Sequence, residues 1–501
     1  MQMESSGLGE GSKELASLPK SMQGTLDDRK LSDQLNCLML IPPSPNQSNR
    51  IIRQIDCSHE SKAGYLWQPY DFMIISSHFA TDNQNTFIDG TANSMTPEEF
   101  QEKLDKVEEP EMMFFALSSV CWSTDLEYFR KAKKQFKNCL KFVIGDIFVE
   151  EPYREIILKE CDGIIFLPHL IDINEMAKLK DDPSIDLTGV WTKENWNKPL
   201  KKRPIRTQIA TYPQHQMFLS RNYRFPFSKQ RQFATVTTSW GCPFTCTYCT
   251  DSNYPAVVRS VENVVDELRE LHKLGVRELF FSDKSFGYPK PNAMKLLAIM
   301  ANEFKFSFTC YTQPSQYAED FYQALKAAGC HTIIIGIDTY NTEVLKKYRR
   351  FVTREDVEKL VYHADKLKIN VCADFILGLE GETAEDMERT IQYSLKLPLD
   401  FASFNVATPL PGSTIRKKAM EEGILKVGEE SFDTLGNKEV LDSDMVKAEK
   451  LAEIRQRAVR KFYLRPSYLL RRLSRTDTLS YLFNQLGQMW ELFLKPKYKP
   501  N

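Results

Sequence analysis

Three cysteines stand at C-x3-C-x2-C spacing in the stretch TSWGCPFTCTYCT over 238–250: Cys242, Cys246 and Cys249. A β-branched run over 234–238 leads into them and reads as a strand. A loop this short can aim three thiolates at three corners of one cubic [4Fe–4S] cluster. Such clusters are normally held by four cysteines, so a set of three leaves one iron open to a ligand, as a catalyst requires. Zinc also accepts closely spaced cysteines and closes its tetrahedron with a fourth ligand. Seven histidines are present to supply one, so the spacing alone leaves a zinc-stabilised binding protein as an alternative.

The elements that must position this loop repeat as strand then helix. Strands are expected over 233–238, 278–282, 307–311, 332–337, 370–377 and 401–406. The helices between them, such as 261–274 and 360–367, have apolar spacing of three and four. Capping boxes open two helices, at Thr353 with Asp356 and at Thr383 with Asp386, and Gly275 and Gly329 sit where helices should stop. Six parallel units make a partial (β/α)6 TIM-like barrel, in which chemistry belongs at the C-terminal strand ends.

Upstream, strands over 37–41, 86–89, 112–117, 141–144 and 163–167 alternate with helical patterns. One helix starts at TPEE (96–99) with proline in its first turn, and another covers 126–136. This predicts a Rossmann-like doubly wound parallel sheet. The chain therefore divides into a polar tail (1–33), the Rossmann-like domain (34–170), a connector (171–230), the barrel (231–415) and a helical C-terminal region (416–501). The connector's basic run KPLKKRPIR (198–206) reads as a solvated linker.

The 501 residues suit two or three domains, and 42% are hydrophobic, ample for large cores. The 66 basic and 67 acidic residues cancel, which argues against nucleic acid as a partner. The 11 cysteines are scattered through predicted strands and helices, and the N-terminus reads as carrying no secretory signal. They are expected to be reduced thiols of a cytoplasmic protein. No apolar run approaches the ~20 residues of a membrane span.

The cysteine stretch, with Tyr248 before its last cysteine, resembles the signature of the radical S-adenosylmethionine (SAM) superfamily. The resemblance implies that the open iron chelates SAM and that an electron from the cluster releases a 5′-deoxyadenosyl radical. Downstream motifs fit it. Ser282, Asp283 and Lys284 (SDK) follow the second strand, where the family contacts the methionyl amine. Gln313 follows the third and is expected to meet ribose or substrate. GIDT (336–339) resembles the family's G-I-E-S, which gives Asp338 the ribose role. ILGLEGET (376–383) resembles G-L-P-G-E-T, with Glu380 in place of proline, and TPLPGST (408–414) matches T-P-x-P-G-[ST].

A doubly wound domain before such a core resembles the cobalamin-binding domain of the B12-dependent radical SAM enzymes. Gly64-Tyr65, Pro69-Tyr70 and FID (87–89) carry that likeness, and 219–227 resembles the segment leading into the cluster loop. The D-x-H-x-x-G motif is absent, and Gly145-Asp146 stands where Gly-Gly is usual. Ser118, Ser119 and Gly145 are expected to face a nucleotide tail.

The resemblance implies cobalamin-dependent methylation of an unactivated centre in a small-molecule, lipid or natural-product substrate. It also implies an external electron donor of flavodoxin or ferredoxin type. Radical cyclisation, oxidation or rearrangement without B12 is the alternative. The C-terminal helices pack on the barrel or, through Arg471, Arg472, Arg475 and Trp490, lie peripherally on anionic lipid.

Overall fold

In the computed structural model, residues 35–45, 50–55, 58–61, 64–79, 85–200, 212–220, 222–428 and 446–475 are described. The short apolar runs form a parallel sheet: β1 (Cys37–Ile41), β2 (Thr86–Asp89), β3 (Met112–Ala116), β4 (Leu140–Ile144) and β5 (Gly163–Ile165). A sixth strand, β6 (Val190–Trp191), joins antiparallel from the connector, where no strand was expected. The order is β2-β1-β3-β4-β5-β6. Alternation splits β1 between two cores. Leu38 and Leu40 pack under α2 (Pro97–Leu104) and α3 (Trp122–Gln135), and Met39 and Ile41 pack under α1 (Tyr70–Ser76) and α5 (Ile173–Ala177). Helices on both faces are what make runs such as MMFFA apolar throughout. The 163–167 strand ends early because Phe166 and Leu167 both donate to the Gly189 carbonyl, turning the chain toward β6.

The order reverses between β1 and β3, the switch point at which an open α/β sheet takes a ligand. Here the strand ends are bound to the chain itself. Arg53 makes a two-pronged bond to Asp125 (2.9 and 2.8 Å) and donates to Thr91 Oγ1 at 2.8 Å. Asp125 also accepts from the Ser118 amide and hydroxyl (2.9 and 2.7 Å). Asp146 accepts from the Ser58 amide (2.9 Å) and the Ser119 amide and hydroxyl (2.9 and 2.6 Å). Breaking a buried pair such as Arg53–Asp125 costs roughly 3–5 kcal/mol. Ser118 and Ser119 are thus structural and face no open crevice. Gly145 is a packing glycine, since a Cβ there would meet the Leu117 carbonyl oxygen at 2.0 Å.

The second sheet runs in sequence order: β7 (Ala234–Val236), β8 (Glu278–Phe281), β9 (Ser307–Thr312), β10 (Cys330–Asp338), β11 (Asn370–Leu377) and β12 (Phe401–Val406). Every neighbouring pair is parallel. Helices α6 (Val261–Lys273), α7 (Lys290–Glu303), α8 (Glu319–Ala327), α10 (Arg354–Lys366) and α11 (Ala384–Lys396) form the outer layer, with the short α9 (Thr342–Lys347) after β10 and α12 (Thr414–Glu421) after β12. Both expected capping boxes are present on α10 and α11. The edge of β12 is covered by α13 (Ala448–Tyr463). Its Tyr463 hydroxyl donates to the Ala402 carbonyl (2.9 Å) and accepts from the Ala402 amide (3.2 Å).

Two buried carboxylates tie this frame together. Glu382 accepts from the Gly378 and Leu379 amides (2.9 and 3.0 Å) and from Thr339, joining the exits of β10 and β11. Asp400 collects Arg471, Arg472 and Arg475 from α14 (Pro466–Arg475), and Asp365 takes Arg471 and Arg475 as well. These arginines therefore hold the helix to the barrel, the first of the two expected readings, and are not left for lipid. Trp490, the polar tail over 1–33 and most of the 198–206 run lie outside the described residues. Among the described residues no helix is long and apolar enough to cross a membrane.

Burial pushes Glu382 up to about 7, above the usual 4.5. Its folded carboxyl keeps its proton where the unfolded one has lost it, so stability is full below pH 4.5 and declines as pH rises to about 7. We expect that decline to reach about 3 kcal/mol in urea titrations, and Glu382→Gln to flatten it. Asp400→Ala takes the shared carboxylate from three guanidinium groups and leaves Asp365 to hold Arg471 and Arg475. It should lower the melting temperature by several degrees and make α14 the first site of limited proteolysis.

Candidate active site

The cluster loop begins as the strand Ser239–Trp240, paired antiparallel with Val257–Val258. Gly241 then turns at φ +67°, where a Cβ would meet the Pro255 carbonyl oxygen at 2.3 Å. Beyond it, the Thr247 amide donates to Tyr348 O (3.0 Å), and Thr247 O accepts the Thr414 amide (2.8 Å). The loop is therefore held at mid-length by the segments following β10 and β12. Cys242, Cys246 and Cys249 are half-buried, and all three line a cavity of about 480 Å³ at the C-terminal ends of the barrel strands.

Burial raises the Cys242 thiol to about 12, with the Asp251 carboxylate adding to the effect, and burial raises Cys246 too. Iron must therefore displace their protons. Among the described residues no three side chains of His, Cys, Asp or Glu converge as a single ion requires, the three cysteines included. Three thiols spread on one loop at a cavity mouth fit a cluster several ångströms across.

Behind the loop lies a polar network. Arg350 donates from Nε to Asp338 (2.8 Å), from Nη1 to Gln313 Oε1 (2.6 Å) and from Nη2 to Gly336 O (2.6 Å). The Tyr248 hydroxyl donates to the same Asp338 oxygen at 3.0 Å. Asp338 takes φ +64°, a left-handed geometry that is costly for a non-glycine residue and concentrates at functional sites. Across the cavity, Lys284 lies 3.5 Å from Asp251. Tyr248, Lys284, Gln313 and Asp338 are thus brought together with the cysteines as expected. Arg350 and Asp251 were not foreseen.

Two expected residues are elsewhere. Asp283 is buried beneath the loop, where it accepts from the Thr238 amide (3.0 Å) and the Ser239 hydroxyl (2.9 Å). It follows Phe281 on the strand face opposite Phe280, so period-two alternation turns it away from the cavity. The Ser282 hydroxyl has no partner and lines a small chamber in the seam beside His169 and Trp240, whose rings stack at 4.7 Å. Neither side chain lines the cavity, so the methionyl-amine role does not hold for them.

The far wall comes from the N-terminal domain and connector: Gln54, His59, Tyr65, Trp67, Phe225 and Phe227. Tyr65 stacks on Trp67 at 5.4 Å and 12°, and Trp67 packs on Phe280 of β8 at 5.8 Å. The wall's rings line the same cavity as the cysteines, some set at angles to one another, as in the 73° between Trp67 and Phe225; with Gln54 and His59 as its polar groups, the wall suits a macrocycle there. The switch-point crevice behind it, filled by Arg53 and Ser58, does not suit a nucleotide tail.

The family model for the radical SAM superfamily matches residues 236–394, which contain the three cysteines. The chain is 25% identical over 460 residues to an uncharacterized methyltransferase of Pyrococcus horikoshii, covering 87% of this chain and 94% of that protein. It is 24% identical over 202 residues to tryptophan 2-C-methyltransferase of Streptomyces laurentii, covering 37% of this chain and about a third (34%) of that protein. Two solved structures share the fold. The radical SAM methyltransferase TsrM from Kitasatospora setae, with cobalamin and a [4Fe–4S] cluster bound, matches at TM-score 0.58 and 15% identity, over 77% of this chain and 75% of that one. The cobalamin-dependent SAM radical enzyme OxsB matches at TM-score 0.60 and 12% identity, over 92% of this chain and 72% of that one. The zinc alternative is set aside on the superfamily match. Residues 236–394 thus match the radical SAM superfamily, and most of the chain shares its fold with TsrM and OxsB.

Proposed function

We propose that this protein is a radical SAM methyltransferase. Cys242, Cys246 and Cys249 hold a [4Fe–4S] cluster, SAM binds beside it, and cobalamin serves a methyl transfer to an unactivated centre of a small, largely apolar molecule. One observation carries the reading: three cysteines, a strained and paired Asp338 and an aromatic wall from a second domain all face one cavity. When bound, cluster and SAM supply a hydrogen-abstracting radical, and cobalamin supplies a methyl group.

The protein's part is to hold and exclude. Arg350 fixes Asp338 and Gln313 as acceptors at the rim, where ribose hydroxyls or an ammonium group are suitable donors. Lys284, kept by Asp251 and lying 5.8 Å from the Tyr70 ring, sets a positive charge on the opposite side. Tyr65, Trp67, Phe225 and Phe401 keep water from the reacting centre. Gln54 and His59 are the polar groups of the wall that would meet a corrinoid. A one-electron donor of flavodoxin or ferredoxin type completes the system. The filled switch-point crevice favours, as a second reading, radical chemistry without corrinoid.

Anaerobic reconstitution with iron, sulfide and hydroxocobalamin tests this. The wild type should hold about four irons per chain and form 5′-deoxyadenosine on reduction. Replacing all three cysteines by Ala should remove both, and retained 5′-deoxyadenosine formation would sink the assignment. Arg350→Lys keeps the charge but loses the fork. It should leave iron content unchanged and slow SAM cleavage at least tenfold, or about 1.4 kcal/mol; an unchanged rate removes Arg350 from the SAM site.

A further inference from the structure

A doubly wound sheet ordinarily receives its ligand at the carboxyl ends of the strands flanking the switch point. In this chain those ends are joined by the chain's own polar groups. Arg53 reaches across from the segment after β1, bridging Asp125, Thr91 beyond β2 and the Pro43 carbonyl (3.3 Å). Thr91 in turn donates to the Pro42 carbonyl at 3.0 Å. Ser58 closes the ends of β3 and β4 through Asp146, which is shared with Ser119. Arg53 is 5% exposed, and Asp125 and Asp146 are wholly buried. Each carboxylate is saturated by donors from two different segments.

We infer that a corrinoid bound by this chain lies wholly in the seam between the two sheets, its nucleotide tail kept out of the N-terminal sheet by Arg53 and Ser58. This rests on the proposed cobalamin reading. Entry of the tail would expel Arg53 and Ser58 together. Asp125 and Asp146 would then be left buried with only their serine donors, a state far more costly than the hydrogen bonds a tail could return. Gly145 adds a steric reason, because its backbone already lies against Leu117 O and leaves no gap between the ends of β3 and β4. What remains for a corrinoid is the outer side of the same segment, where Gln54, His59, Tyr65 and Trp67 face the barrel.

The test compares two probes on the wild-type chain with its cluster reconstituted: hydroxocobalamin, and diaquacobinamide, which lacks the nucleotide loop and base. Tryptophan fluorescence quenching reports binding, with Trp67 in the expected contact wall. Affinities for the two should agree within about threefold. Cobalamin binding tenfold or more tighter would mean that the sheet clasps the tail, overturning the inference while keeping the cobalamin reading. Retention of neither probe would overturn both. Reductive SAM cleavage, measured in the same preparation, reports separately on the cluster.

Discussion

The Arg350–Asp338 pair is the contact on which the site depends. A guanidinium this deeply buried needs an anion and acceptors for its remaining donors. Burial opposes its charge, yet Asp338, Tyr248 and Cys246 more than offset that and hold Arg350 above its ordinary value. Asp338 is also the acceptor for Tyr248, two residues from Cys246 and next to Cys249. The position of the cysteine loop is therefore relayed to β9 through Gln313 and to β10 through Gly336 and Asp338. Asp338 can hold its left-handed backbone because Arg350, Tyr248 and the Glu382 staple on its neighbour Thr339 over-determine it.

The seam between the two sheets is fixed by the same kind of bond. Arg416, wholly buried, pairs with Glu150 at 2.7 Å and donates to the Tyr153 hydroxyl at 3.2 Å, tying the helix after β12 (Thr414–Glu421) to α4 (Glu151–Ile157) and the residue before it. Tyr223 of the connector donates to Asp89 at the end of β2 (2.8 Å), and Gln68 donates to the Phe233 carbonyl (2.7 Å). Each is desolvated, so misaligning the domains would strand a buried polar group. The wall formed by Tyr65 and Trp67 consequently stands at a set distance from the cysteines. A cavity assembled from two domains can exclude water only if their relative position is fixed.

Much of this was legible from the sequence because it rests on local signals. Runs such as CLMLI and MMFFA are apolar on both faces, so strand and double covering follow together. The boxes at Thr353 and Thr383 are satisfied within four residues of chain. The cysteine triplet is likewise local, although its spacing alone left cluster and zinc both open. Arg350 was hidden because its partners, Gln313, Gly336 and Asp338, lie on two strands, and a cation after a helix reads as surface. Asp283 was misplaced because, two residues past the end of β8, it keeps to the face of Phe281 and turns from the cavity. For the α14 arginines the sequence left barrel and lipid both open, because the Asp400 that binds them lies some seventy residues earlier, directly before β12.

The two halves of the molecule treat their strand ends in opposite ways, and one physical reason covers both. Each parallel sheet presents unpaired amides and carbonyls at its carboxyl edge, which must be bonded by something. In the N-terminal sheet the chain supplies Arg53, Ser58, Asp125 and Asp146, and the edge is closed and rigid. In the barrel the edge is left to groups that point into a cavity, with α13 covering only the side of β12. A closed edge gives the antiparallel pair of Ile51–Ile52 with His59–Glu60, and the adjoining Trp67, a fixed footing. An open edge leaves acceptors such as Asp338 and Gln313 within reach of a ligand. The N-terminal domain thus serves the site as a wall on a rigid base, and the barrel supplies the reacting floor.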